Sequence, residues 1–261
     1  MLEVEIVKID TSTRKIQKMA DHVAEDIMFH IFLNKTPYVT IYCSPSSLKE
    51  LAVGHVISEG IVKSVEEIEE INLKDERLCR IKLKTKVGLE KRLKLSKLFS
   101  CVIPSACGSQ LPHKFSRRTP KVKSNLKVKA EAILNGVNRL NQLAETFRKT
   151  GGVHASAICK DDGDIVAFAE DVGRHNAVDK VIGIGALNKI NFGRCFLALS
   201  GRLTGDIVLK AARVGLPIVA SLAAALDSGI AVARNADLTL IGFVRGKRMN
   251  IYNCPERIHL D

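Results

Sequence analysis

The chain has 261 residues, 46% of them hydrophobic, and a net charge of +12. That is enough for one large or two modest hydrophobic cores and too apolar for intrinsic disorder. No run approaches the ~18 consecutive apolar residues of a membrane span, and the opening MLEVEIVKID lacks the apolar core of a secretory signal. Seven cysteines, odd in number and without framework spacing, suit a reducing compartment. A cytoplasmic globular protein is expected.

In chain order, TPYVTIYC is rich in β-branched and aromatic residues and predicts a strand. SPSSLKELAVGHVISEGIV follows with Ser and Pro at a helix start and Leu48, Leu51, Val56 and Ile57 at helical spacing. CRIKLKTKVGLEKRLKLS alternates Ile81 and Leu83 with Lys82 and Lys84, turns near Gly88 and resumes through Leu93 and Leu95, which predicts a half-exposed hairpin with a basic outer face. Between Arg80 and Lys129 stand 15 basic residues and one acid, Glu90. Such a surface suits an anionic partner. Residues 100–125 carry prolines, serines and a basic run without periodicity, as in a long functional loop.

From Ala130 the pattern becomes regular. AEAILNGVNRLNQLAETFRK predicts an amphipathic helix, followed by strands VHASAICK and IVAFAE, a helix at NAVDKVIGIGALNK and strand CFLALS. Helix GDIVLKAARVG, strand PIVAS, a helix around DSGIAVARNA and strands DLTLIGFV and RMNIYN complete the order. The reading is a three-layer α/β sandwich over residues 130–261, preceded by a smaller mixed α+β domain over 1–129 that includes the cysteine loop.

Two strand-to-helix turns are unusually polar. EDVGRHNAVDKVIG gathers Glu170, Asp171, Arg174, His175, Asn176 and Asp179 around Gly173, and LSGRLTGDI repeats the Gly-Arg step at Arg202. Ligands of open α/β sheets bind at such turns, where helix N–H groups favour anions. Adjacent turns of this kind bring Arg174 and Arg202 near one another; the competing reading is that the acids and amides are caps and buried ion pairs. Zinc deaminases place H-x-E and P-C-x-x-C at comparable helix starts. Neither motif is present here, so no metal site is expected.

GGVHASAI, EDVGRHNAVDKVIG, LSGRLTGDIVLKAARVGLPIVAS, LTLIGFVRGKRMNIYN and LKELAVGHVISEGIV together resemble the FdhD family of formate dehydrogenase accessory sulfurtransferases. The resemblance implies a cytidine-deaminase-like C-terminal domain without zinc. It also implies sulfur delivery to a molybdenum or tungsten cofactor bearing two pyranopterin guanine dinucleotides, with GDP as a partial mimic. The implied partners are a cysteine desulfurase, the catalytic subunit of formate dehydrogenase and a second copy of the chain. The persulfide position falls on Cys107 in PSACGSQLP, where the family's C-G-x-C pattern loses its second cysteine to Gln110. The cofactor segment falls on Phe243, Val244, Arg245, Gly246, Lys247 and Arg248, with Arg174, His175 and Arg202 as further candidates for the same pocket.

The basic surroundings of Cys107 independently suit an accessible thiolate, whereas Cys43, Cys159 and Cys195 sit in strand-like runs. Cys101 is the nearest rival and looks like the end of a packed segment. The replacement by Gln110 opens a second reading, a non-catalytic cofactor chaperone. A nucleic-acid module is disfavoured, because residues 80–129 contain only two aromatics, Phe99 and Phe115.

Overall fold

The computed structural model describes residues 1–75, 77–85, 87–89, 92 and 119–260, together with the backbone of 101–103. Two large sheets organise it. The first contains β3 (Ile27–Leu33), β4 (Thr36–Cys43), β5 (Ile68–Lys74), β6 (Leu78–Leu83) and β7 (Cys101–Ile103), in the order β5-β6-β3-β4-β7. Alternation puts Phe29, Ile31, Leu33, Val39, Ile41, Cys79 and Ile81 on one buried face. That face packs in one continuous core with α1 (Leu48–Ser58). Ahead of this sheet, β1 (Leu2–Asp10) and β2 (Lys15–Val23) form a separate hairpin.

The hairpin expected to turn near Gly88 is corrected. β6 pairs instead with the preceding β5, in a register that sets Glu70 opposite Lys82 and Ile71 opposite Ile81. The turn lies at Asp75, whose φ of 50° is left-handed. Residues 89 and 92 of the expected second arm have helical backbone. The basic run mimicked strand alternation. The acidic run EEIEEINLK supplied the real partner, because cross-strand charge pairs such as Lys82–Glu69 (2.6 Å) favour it.

The second sheet has six strands in the order β10-β9-β11-β12-β13-β14. These are β9 (His154–Lys160), β10 (Ile165–Asp171), β11 (Cys195–Leu199), β12 (Ile218–Ser221), β13 (Thr239–Arg245) and β14 (Arg248–Asn253). One face, through Phe196, Ala198, Ile218 and Ala220, packs on α2 (Ala130–Leu143). The alternate residues Leu197, Leu199 and Val219 face α4 (Arg174–Leu187), α5 (Gly205–Arg213) and α6 (Asp227–Ala236). Helices therefore lie on both faces of a largely buried sheet, and the mixed α/β architecture agrees with the element order read from the sequence. The expected helix over 130–149 is split. Ala144 leaves helical geometry (ψ 71°) and α3 (Glu145–Thr150) restarts, because the Glu170 carboxylate accepts from the N–H groups of Thr146 and Phe147 at 3.0 and 2.8 Å.

β9 runs antiparallel to both β10 and β11, while β11, β12 and β13 are mutually parallel. Four strands thus deliver their carboxyl ends to one edge, where α4, α5 and α6 begin. The short β8 (Val128–Lys129) and β15 (Ile258–His259) pair beside α2. No helix among the described residues is long and apolar enough to cross a membrane.

The two sheets are locked through α1 and α4. A Cβ added at Gly54 would come within 1.7 Å of the Asp179 carbonyl oxygen, and one at Gly183 within 1.9 Å of the Glu50 carbonyl oxygen. The helices cross backbone to backbone, and only glycine permits that distance.

Candidate functional site at the carboxyl edge of the six-stranded sheet

The polar residues of EDVGRHNAVDKVIG separate into two groups once folded. The acids turn inward. Asp171 forms a fully buried ion pair with Lys180 (2.6 Å) and accepts from the N–H groups of Ser44 and Gly173 and from Asn176 Nδ2. Lys180 Nζ also donates to the Ser44 carbonyl, and Asn176 to that of Tyr42, which fastens the start of α4 to the end of β4. One turn on, Asp179 accepts from His55 Nδ1 (2.9 Å), Ser58 Oγ (2.6 Å) and Lys210 Nζ (2.9 Å). Lys210 reaches Glu59 as well, and Arg213 closes the cluster. Burial alone would raise the Asp179 carboxyl, but Lys210 and the His55 hydrogen bond outweigh it and hold it below the usual range. Burial opposes the Lys210 charge too, and Asp179 and Glu59 reverse that.

The basic residues stay at the edge. Arg174 opens α4 and lies across Gly201, where an added Cβ would sit 3.0 Å from Arg174 Cβ. Arg202 is exposed on the next turn. Between them lies His154 at the start of β9, its Nδ1 3.3 Å from Ser200 Oγ, which in turn accepts from the Ala155 N–H. Burial pulls the His154 imidazole below its ordinary range, and the nearby charges of Arg174 and then Arg202 add to that effect. The two Gly-Arg turns therefore converge on one histidine. Sequence reasoning passed over His154, although it stands in the GGVHASAI motif at the mouth of a strand.

His175 goes elsewhere. It is buried, and its protonation is suppressed to about 3 by burial first, then by Lys210 and Arg174. Its neighbours are the inward cluster, and the neutral ring adds no charge to the edge. Its Nε2 and the Thr204 Oγ1 at the start of α5 are buried without a hydrogen-bond partner among the described residues.

The FVRGKR segment lies at the end of β13 and the turn into β14. Phe243 has φ 53° and donates its N–H to the Ala223 carbonyl; Arg245 Nε donates to the Leu222 carbonyl at 2.9 Å. Leu222 N–H in turn reaches the Leu199 carbonyl, and Leu203 N–H the Ala224 carbonyl. Residues 222–224 thus connect this turn to the Arg202 turn along the same edge. Phe243, Arg245, Gly246, Lys247 and Arg248 are exposed, with the Arg245 guanidinium 5.8 Å from the Phe243 ring centroid. Val244 is fully buried in the core beneath, so it offers backbone only.

Cys107 and Gln110 lie outside the described residues. Of the thiols that are described, Cys43 and Cys159 are pushed up to about 12 and Cys79 to about 11, in each case chiefly by burial. All three are inert in that state. Cys101 stands in β7 opposite Val39, a buried residue. Among the described residues no group of three His, Cys, Asp or Glu is placed to hold a metal ion.

An α/β fold with a cationic edge at its strand ends defines the class. Within that class the chain belongs to the FdhD/NarQ family, whose model matches residues 24–259. It is 38% identical to the sulfur carrier protein FdhD of Methanothermobacter thermautotrophicus, over 98% of both chains. It is 33% identical to the sulfur carrier protein FdhD of Bacillus subtilis, over 94% of this chain and 93% of that one. The crystal structure of a formate dehydrogenase accessory protein from Desulfotalea psychrophila superposes with a TM-score of 0.79 at 27% identity, covering 99% of each chain.

Proposed function

We propose that this protein is a sulfur carrier for a formate dehydrogenase, and that it loads sulfur onto a molybdenum or tungsten cofactor bearing two pyranopterin guanine dinucleotides. The observation that carries the reading is the cationic edge. Arg174 and Arg202 flank His154, and Arg245 is tied to the connecting 222–224 segment. Guanidinium groups bind phosphate oxygens through forked, charge-assisted hydrogen bonds. Helix starts at Arg174 and Gly205 add the positive end of the helix dipole. A neutral His154 accepts or donates one hydrogen bond without competing for counter-ions.

The sulfur step is assigned to Cys107. Its thiolate attacks the outer sulfur of a desulfurase persulfide; one S–S bond breaks, another forms, and the desulfurase leaves as a thiolate. Release of that sulfur as sulfide needs two electrons. A second cysteine would supply them by forming a disulfide, and Gln110 cannot. Two equivalents of an external thiol therefore reduce the persulfide, leaving Cys107 as thiol, one sulfide for the metal and one external disulfide.

Two measurements test the reading. After incubation with a cysteine desulfurase and cysteine, intact-mass spectrometry should show one added sulfur that disappears in Cys107→Ala. No gain on the wild-type chain with any donor leaves the cofactor-chaperone reading in its place. Isothermal titration should show GDP binding that weakens with salt, and Arg202→Ala or Arg245→Ala should each lower affinity about tenfold to a hundredfold. Undiminished GDP binding in both variants removes the edge as the nucleotide site.

A further inference from the structure

His154 is tied to its neighbour across the sheet. Ser200 Oγ accepts from the Ala155 N–H at 3.0 Å, and the Ser200 N–H donates to the Ala155 carbonyl at 3.0 Å, so the hydroxyl is fixed against β9. That leaves the hydroxyl its own proton to give, and His154 Nδ1 lies 3.3 Å away. In this arrangement Nδ1 accepts, and the neutral ring carries its proton on Nε2. The donor then stands on the side of the ring away from Ser200.

The charged groups that act on the ring come from three elements. Arg174 opens α4, Arg202 stands on the turn after β11, and Asp171 is opposite His154 in the β9–β10 pairing. Asp171 is already joined to Lys180 at 2.6 Å. Burial first, then Arg174 and Arg202, hold the imidazole below its ordinary range, and Asp171 pulls weakly the other way. In the free protein near neutral pH the ring is therefore uncharged. An anion seated between the two guanidinium groups offsets their charge and also attracts a proton to the ring.

We propose that His154 is a phosphate-binding residue that draws one proton from solvent as a diphosphate settles between Arg174 and Arg202, and then donates from Nε2 to a phosphate oxygen. This inference rests on the reading of the carboxyl edge as the cofactor site and adds that binding there is coupled to a proton. The third positive charge exists only while the ligand is present, so the empty site avoids the repulsion of three crowded cations. A ligand of lower charge, such as a nucleoside or a monophosphate, recruits that proton less well. Because the protonated ring belongs to the complex, affinity for the diphosphate rises as pH falls from about 8 to about 6, across the ~6.5 of an ordinary imidazole.

The test is isothermal titration of GDP into the full chain and into His154→Gln, at about pH 6 and about pH 8, each in two buffers of different ionisation enthalpy. Glutamine keeps a side-chain N–H donor but cannot take up a proton. On binding, the wild-type chain should take up more protons than the variant. The terminal phosphate of GDP titrates in the same range, but equally with both chains, so the difference belongs to His154. The variant should bind within about twofold of wild type at the higher pH and about tenfold more weakly at the lower. Nitrogen-15 NMR of the wild-type histidines should show one ring with its proton on Nε2 alone in the free chain and on both nitrogens when GDP is added at the lower pH. Equal proton uptake in the two chains, or the same deficit at both pH values, overturns this inference while GDP binding at the edge stands. No GDP binding by wild type overturns the cofactor-site reading and this inference with it. If melting curves show that the variant loses the fold, the NMR signature decides: no wild-type ring that gains a proton with GDP overturns the inference.

Discussion

The seam between α1 and α4 and the carboxyl edge of the six-stranded sheet draw on the same fourteen-residue motif and do opposite things with it. At the seam, Asp171, Asn176, Asp179 and Lys180 are buried and have partners for their charges and hydrogen bonds. At the edge, a half-buried Arg174 packed on Gly201 and an exposed Arg202 lie near a half-buried histidine. Polar density in a sequence therefore marks two kinds of place. Buried charge is tolerated only when saturated by partners, whereas a binding edge keeps charge available for a ligand.

The largest effect that separates the two regions should come from glycine. Gly54→Ala drives a methyl group into the Asp179 backbone, which cannot rotate away, so α1 and α4 must part. The cost should exceed about 4 kcal/mol, seen as a melting drop of roughly 10 °C. Gly246→Ala, at φ 59° with open space around it, should cost only about 1 kcal/mol. Equal losses in the two variants would mean the seam is not the tighter contact.

Next comes Lys210→Met, which strands Asp179 and Glu59 in the interior and should cost about 3–5 kcal/mol near neutral pH. Its pH dependence sharpens the comparison. Asp179 and Glu59 titrate below their unfolded values, so their contribution is present above the usual carboxylate range and is lost as pH falls through it. His175, suppressed to about 3, adds a loss that starts as pH falls below about 6.5, because the unfolded chain takes up the proton first. Urea unfolding from about pH 8 to about pH 4 should show wild type losing stability below about pH 6.5 while its gap to Lys210→Met narrows. A constant gap would place the network's charge elsewhere.

The smallest effect on stability is expected at the edge. Arg174→Ala should move the melting midpoint by no more than a few degrees and reduce GDP affinity about tenfold or more. Asp171 is held by Lys180 and Glu170 accepts from the start of α3, so both acids keep those partners when Arg174 is removed. A large melting loss with unchanged GDP affinity would move Arg174 to the seam.

Much of this was legible in the residues. The 3.6 and 2.0 periodicities from Ala130 onward fixed the order of helices and strands, since each element must hide one face. The Gly-Arg turns announced that Arg174 and Arg202 would share a strand edge, because two parallel strands deliver their ends to the same side. The motif could not announce which of its polar groups point inward. That depended on Lys210, His55 and Ser58, which lie far away in the chain and meet Asp179 only when α1 crosses α4. That His154 lies at the edge and His175 is buried was hidden for the same reason: burial and neighbouring charge are properties of the packed structure. The pairing of β5 with β6 was likewise decided by registry between charges, which no single-strand pattern contains. Local geometry is written in short spacings, but the partner of a buried charge is chosen by tertiary contact, where desolvation makes every unpaired group costly.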